Sequence, residues 1–257
     1  MQIVRNIFLF IIFSTIDFSA PSNDYIHEIA KGSYGSKKSL IHLHGINRTT
    51  STTETIWSQG GEYNWLDTAT LVELSSSDNS DAVTITLTGL DSSYAVTSEN
   101  VTVSGNSIVT STVEFLRINS AENATDTEFD GDISIAIEGA SWSSGVAQNT
   151  TEVLALLDAL DQKSSKAVYT VPAGKKFIIY DIFLSSDDTN EAECILYIRE
   201  FGKVFMPEFR DIIFKTRGLA STKMIPIIAP AKSDIDLQCI QSSGNAKINA
   251  EVFGVLE

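Results

Sequence analysis

Asp126, Glu128 and Asp130, followed by Gly131 and Asp132, concentrate carboxylates on a short stretch that a glycine allows to turn. Calcium needs several hard oxygens on such a turn, and the spacing matches the first half of an EF-hand loop. The second half does not follow. The twelfth position is Ile137, Glu138 falls one residue late, and the intervening ISIAI is strand-like where a helix is needed. The stretch Asn119–Asp132 therefore reads as a solvated acidic loop, with no metal or other cofactor assigned. His42 and His44 alternate with Ile41 and Leu43, so both project from one face of a strand. Two imidazoles can begin a metal site, but no third ligand is identifiable, and the pair reads as structural. Trp57, Tyr63 and Trp65 surround the Gly60-Gly61 turn. Such a group can bind a sugar ring or a partner protein, and more commonly caps a β core with the indole N–H bonded at its edge.

Nucleophilic chemistry has little footing. Serines are abundant, but none lies in a GxSxG elbow. All three histidines precede Gly45, and none has an evident acid or nucleophile partner. Neither a P-loop nor a GxGxxG after a strand occurs. In so acidic a chain a carboxylate pair carries little information. The reading is non-enzymatic. Cys194 and Cys239 each lie in an apolar segment and read as two packed thiols; the alternative is one inter-strand disulfide formed in an oxidising compartment. Sequons at Asn47, Asn100, Asn123 and Asn149 matter only in a eukaryotic secretory setting.

The chain has 257 residues and a formal net charge of −15. That charge repels nucleic acid backbones and anionic membrane surfaces, and suits docking on a basic partner. Positioning the candidate groups falls to strands. Val83, Ile85 and Leu87 alternate with Thr84, Thr86 and Thr88, the period of a half-buried strand. Gly89–Ser93 turns the chain, and Val101 and Val103 resume the alternation. Further strands are expected at 70–75, 109–116 and 133–137, then at 176–185, 193–199, 204–205, 211–215, 222–228, 235–241 and 247–256. One helix is expected at Thr150–Leu160, capped by Asn149, with Glu152 in a capping-box arrangement and Val153, Leu156, Leu157 and Leu160 on one face. The fold class is mainly β. An apolar leader at 1–22, either signal-like or an upstream extension, precedes an N-terminal arm at 23–54. A β domain at 55–142 and a linker with the short helix at 143–165 lead to a C-terminal antiparallel sandwich, jelly-roll-like, at 166–257.

The segment Lys176–Ser185 (KFIIYDIFLS) is apolar on both faces. Strict alternation puts Phe177, Ile179 and Phe183 on one face and Ile178, Tyr180, Ile182 and Leu184 on the other. One face can fill a core, and the other needs a cover. A second copy of the chain is the expected cover, with Tyr180 and Ile182 as contact candidates beside Trp57, Tyr63 and Trp65.

Several stretches resemble a poorly characterised family of structural proteins in tailed phages, many of them marine. The resemblance rests on DYIHEIAKG, on TIWSQGGEY, on the hairpin GLDSSYAVTSENVTVSG, on FLRINSAE leading to DGDISI, and on YTVPAGKKF, APAKSDIDLQC and INAEVFGVLE. It covers nearly everything from Asp24 to Glu257. It implies a virion component, such as a head decoration, a fibre or a tail-associated protein, whose partners are itself and other virion proteins. By analogy with virion appendages, the first expectation for the oligomer is a trimer. The competing class is a secreted or cell-surface β-sandwich binding protein, with a carbohydrate as ligand. It draws on the signal-like start, the sequons and the aromatic group.

Overall fold

The computed structural model describes residues 23–49, 52–159, 161–213, 220–242 and 246–257. The leader expected at 1–22 lies outside the described residues. The chain is mainly β. The described residues begin with helix α1 (Asn23–Ala30), a 3-10 turn (Gly35–Lys37) and β1 (Ser39–Thr49). There follow β2 (Glu54–Thr55), β3 (Val72–Ser76), β4 (Ala82–Leu90), β5 (Val96–Ser104), β6 (Val109–Thr110), β7 (Arg117–Asn123), β8 (Ile133–Ile137), β9 (Trp142–Ser143), β10 (Val146–Ala147) and β11 (Val153–Leu157). The last third holds β12 (Val168–Thr170), β13 (Phe177–Ser186), β14 (Ala192–Arg199), β15 (Met206–Ile213), β16 (Ala220–Ala229), β17 (Asp234–Gln241) and β18 (Ala246–Leu256).

Two sandwiches result. In one, a sheet ordered β1-β18-β13-β16 faces a sheet ordered β12-β17-β14-β15, with β2 added on β17. Taken in chain order, without β2, these strands run 1-8-3-6 against 2-7-4-5. That is the double Greek key of a jelly roll. Both sheets feed one core, from Leu43, Phe177, Ile182 and Val252 on one side to Cys194, Leu196, Ile235 and Leu237 on the other. The second sandwich lies in sequence between the first and second strands of the jelly roll. Its sheets, β11-β8-β3-β6 and β5-β4-β7, share a separate core that includes Leu74, Ile85, Phe115 and Ile135.

Local sequence accounts for much of this. Val83, Ile85 and Leu87 of β4 are buried, while the outward threonines pair across the hairpin. Thr84 and Thr102 hydroxyls lie 3.0 Å apart, and Thr86 Oγ1 donates to Asn100 Oδ1 at 2.8 Å.

Several expectations are corrected. The segment at Thr150–Leu160 does not form a helix. Asn149 does accept from the Thr151 amide, but the turn it caps is a 3-10 turn (Thr150–Glu152), and Val153–Leu157 pairs with β8 as a strand. An edge position in a sheet buries Val153, Leu154, Ala155 and Leu157 almost completely, which a short helix with a narrow apolar face could not do. The N-terminal arm is in part a core strand: β1 runs beside β18 along its whole length, from Ser39↔Leu256 to Thr49↔Ala246. The strand expected at 109–116 is shifted. Only Val109–Thr110 pairs with β3, and β7 begins at Arg117 and extends into the expected acidic loop. Cys194 and Cys239 are not free thiols. They stand directly opposite one another on β14 and β17 and are joined as a disulfide.

The two-faced segment is resolved by a bulge. The register on both β18 and β16 shifts between Ile179 and Asp181, so the alternation restarts after Tyr180. Phe177, Ile179, Ile182 and Leu184 therefore all enter the core, and Ile178, Tyr180 and Phe183 are left half-buried on the outer face. Ile182, a candidate for contact with a partner, is 1% exposed and belongs to the core.

The disulfide closes a separation of 45 residues between two central strands. Replacing both cysteines by alanine is expected to lower the unfolding free energy by about 2–4 kcal/mol. Denaturant titration of the oxidised protein against the double variant measures it, and coincident midpoints would mean that the bridge adds nothing.

Candidate functional site

The chemically dense region is the seam between the two sandwiches. Asp234, at the start of β17, is 3% exposed. Arg117, at the start of β7 in the inserted sandwich, reaches it with Nε at 3.0 Å and a terminal nitrogen at 3.2 Å. Arg199, at the end of β14, donates to Asp234 Oδ2 from Nε at 3.0 Å and from a terminal nitrogen at 2.6 Å. Thr170 Oγ1 adds a bond of 2.6 Å to Oδ1. The remaining Arg117 nitrogen donates to the carbonyls of Leu66 and Leu116. One carboxylate thus receives two guanidinium forks and a hydroxyl, which satisfies a buried charge that would otherwise be very costly. Asn119 of β7 completes the join, exchanging two hydrogen bonds with the backbone of Thr170.

The aromatic group lines this seam. The Trp65 ring lies beside both Arg117 and Arg199, whose guanidinium carbons are 5.2 and 5.4 Å from its centroid. Tyr63 meets Trp65 and Trp57 edge-on, at 4.9 and 5.1 Å. Trp57 is fully buried, and its indole N–H donates to the Gly61 carbonyl at 3.0 Å. Trp57 and Tyr63 are thus interior residues and offer no surface to a partner; Trp65 is partly exposed. Burial holds the Tyr63 hydroxyl well above the usual phenol range.

Two further ionisable groups are enclosed. Lys166 is 3% exposed, and its ammonium donates to the carbonyls of Ile118 and Leu154 on the inserted sandwich, over the Tyr63 ring. Burial, and then the Arg117 charge, push it down to about 7. Asp236 is 1% exposed and accepts from Thr55 Oγ1 at 3.0 Å and Gln238 Nε2 at 2.8 Å. Burial pushes it up to about 6, against the hydrogen bonds that hold it down. Gly45 of β1 passes so close to this region that a Cβ there would collide with the Ile56 carbonyl and the Ala167 amide.

The remaining sequence candidates lie apart from the seam. Asp126, Glu128, Asp130 and Asp132 are exposed. The loop is shaped by Asp81, which accepts from the amides of Asp130 and Gly131 at 2.9 and 3.1 Å, while Asp132 Oδ1 accepts from the Ala159 amide. Among the described residues no group of three or more His, Cys, Asp or Glu side chains is placed to hold a metal ion. His42 stacks on Phe253 at 4.3 Å, with Glu251 at 3.8 Å. His42 is held below the usual imidazole range, first by partial burial and then by the nearby His44 and Lys163, against the pull of Glu251.

Sequence reasoning missed Arg117, Lys166, Arg199, Asp234 and Asp236. A signal existed for three of them. Arg117 interrupts the apolar run FLRI, and Asp234 and Asp236 alternate with Ile235 and Leu237, so both carboxylates share one face of a buried strand.

No protein-family description matches the chain, and no curated protein does. Among solved structures, the infectious bursal disease virus Gt strain structure is similar at 11% identity over 86% of this chain and 76% of that one, with a TM-score of 0.20. The VP2 subviral particle of the same virus gives 11% identity over 91% and 80%, TM-score 0.20, and the Gx strain structure 11% over 86% and 75%, TM-score 0.22. Likenesses of this degree decide neither the fold nor the function of the chain.

Removing the central carboxylate leaves two guanidiniums without their partner. Asp234→Ala is expected to destabilise the protein by about 3–5 kcal/mol, read from chemical denaturation. A change under about 1 kcal/mol would show that solvent takes over the role of Asp234.

The seam also sets a pH profile. Asp236 has a folded pKa raised from 3.8 to about 6, so its contribution is present below pH 3.8 and is lost as pH rises to about 6. Lys166 has a folded pKa lowered from 10.5 to about 7, so its contribution is present above pH 10.5 and is lost as pH falls to about 7. Stability from these two groups is therefore lowest between about pH 6 and 7. Melting temperatures across pH 4–10 should show Asp236→Asn removing the acid-side slope and Lys166→Met the alkaline one. Slopes unchanged in both variants would show that the two groups do not titrate as described.

Proposed function

We propose that the chain is a non-enzymatic structural component of a virus particle, acting through contacts with itself and with other virion proteins. The observation that carries this reading is architectural. An eight-stranded jelly roll holds a second sandwich, and the enclosed polar chemistry is spent on fixing one to the other. Jelly rolls build both capsid and lectin domains, so fold alone does not choose between them. The placement of the aromatic group favours the first, because Trp57 and Tyr63 are interior and cannot form a sugar platform. The resemblance of TIWSQGGEY, the GLDSSY hairpin and FLRINSAE to tailed-phage structural proteins points the same way, and specifies a head decoration, fibre or tail-associated station. One observation favours a secreted binding protein instead. The Cys194–Cys239 disulfide fits an oxidising compartment.

Self-association is assigned to the outer face of the β1-β18-β13-β16 sheet. Ile178, Tyr180, Phe183 and Phe253 are half-buried there, and Ile225 and Ile228 of β16 are 90% and 57% exposed. Phe183 and Phe253 meet edge-on at 5.5 Å and form the middle of the strip. A second copy covers it, in a closed assembly whose first candidate is a trimer. Native mass spectrometry is expected to show an oligomer at micromolar concentration, and Phe183→Asp is expected to dissociate it with little change in melting temperature. A monomeric wild type, or an intact oligomer in the variant, would exclude this face.

A further inference from the structure

His42 and His44 leave the same face of β1, while Leu43 between them turns into the core. Two imidazoles in that relation can begin a metal site, and the residues around them in sequence offer no third ligand. Strand pairing supplies one. In the β1–β18 ladder His44 stands directly opposite Glu251, and His42 directly opposite Phe253. Directly paired residues share a face, so both imidazoles and the Glu251 carboxylate project together from the outer face of the sheet. Solvent reaches all three. The side chains of His42 and Glu251 are 50% and 43% exposed, and His44 is half-buried.

The distances are closer to those of a shared ion than to those of a hydrogen bond. His42 Nε2 and Glu251 Oε2 are 3.8 Å apart, too far for a hydrogen bond. Two donor atoms on one tetrahedral zinc stand about 3.3 Å apart, so a closure of about 0.5 Å seats an ion between them. Stacking on the Phe253 ring at 4.3 Å holds the His42 imidazole in place. The His42 and His44 ring centroids are 6.4 Å apart, against about 5 Å for two imidazoles on one zinc. His44 therefore has to swing inward by about 1 Å. As they stand, the three side chains are open and do not form a closed ligand set. Two cations lie nearby. Lys163 acts on His42 electrostatically and shares the cleft lining with Asp161, one charge of each sign. Lys166, whose backbone bridges to His44, turns its ammonium to the Ile118 and Leu154 carbonyls.

We propose that His42, His44 and Glu251 bind one zinc ion on the outer face of the β1–β18 pair, with water in the fourth position. Two imidazoles and one carboxylate are a donor set that zinc takes together with a water, whereas magnesium and calcium take oxygen ligands. The bound ion ties the first strand of the jelly roll to its last. The proposal is independent of the virion reading and holds equally for a secreted protein.

Isothermal titration of zinc chloride into the full chain, carrying no affinity tag, tests it. One ion per chain is expected, with a rise in melting temperature, because the ion binds the native state. His42→Ala, His44→Ala and Glu251→Gln are each expected to weaken binding at least about tenfold. His27→Ala, on α1, is expected to leave it unchanged. His42→Gln or His44→Gln replaces the alanine variant if that variant melts lower without zinc. Magnesium at matched concentration is expected not to compete. Absence of saturable binding overturns the proposal. So does unchanged affinity in Glu251→Gln, which would mean that the histidine pair acts alone. A loss confined to His27→Ala would place the ion elsewhere, and competition by magnesium would mean a simple carboxylate site; either result overturns it as well.

Discussion

Asp234 is the point on which the two sandwiches are joined. Its carboxylate is enclosed; Arg199 of the jelly roll balances its charge, and the second guanidinium, which takes up Oδ1, arrives from β7 of the inserted sandwich. Buried ion pairs are often matched in net stability by apolar residues of similar volume. What the pair adds is direction. A forked guanidinium satisfies a carboxylate in few orientations, so the inserted sandwich must sit where Arg117 can reach Asp234 and its own Leu66 and Leu116 carbonyls together. The Asn119–Thr170 exchange and the Lys166 ammonium, which binds carbonyls of Ile118 and Leu154, impose the same placement from nearby positions.

The connectivity makes such a join necessary. The inserted sandwich leaves the jelly roll after β1 and returns before β12, and these two exits lie side by side, as the His44↔Lys166 bridge shows. Closing a long segment at one neck costs only modestly more than closing a short one, so a whole domain is tolerated there. A single neck would leave the insertion free to swing. The ionic seam and the edge-to-face Trp57–Tyr63–Trp65 series turn the neck into a fixed joint. A second contact lies farther out. Tyr94, on the β4–β5 turn, meets Phe201 edge-on, Lys232 lies over both rings, and the Ala173 amide donates to the Tyr94 carbonyl.

The far side of the jelly roll is built differently. Both sheets end there in interrupted strands. The register of β15 slips at Glu208, beside Pro207, and that of β16 slips across the three residues ending at Pro226, opposite Tyr180. Proline and bulges are common means of keeping an end strand from pairing with a neighbour. The near side, at β1, is long and unbroken from Ser39 to Thr49. Of the two lateral sides, only this one presents a regular ladder.

Alternation along single strands was legible from residues alone. The β class, the strand at Val83–Leu87 with its threonine face, the β4–β5 hairpin and most C-terminal strands follow from period-two patterning, which depends only on neighbours in sequence. The Asn149 cap was legible for the same reason, although the element after it was not: the spacing of Val153, Leu156 and Leu157 fits a helix, and only the presence of β8 alongside makes it a strand. Tertiary structure alone decided the rest. The bulge at Tyr180 reassigned Ile182 and Phe183 to opposite faces, because register is set by the partner strand. The pairing of Cys194 with Cys239 required β14 and β17 to be neighbours. Arg117, Arg199 and Asp234 are separated by long stretches of chain, and no local pattern encodes that they meet. A buried charge is stable only where its partners converge, and that convergence is a property of the folded chain.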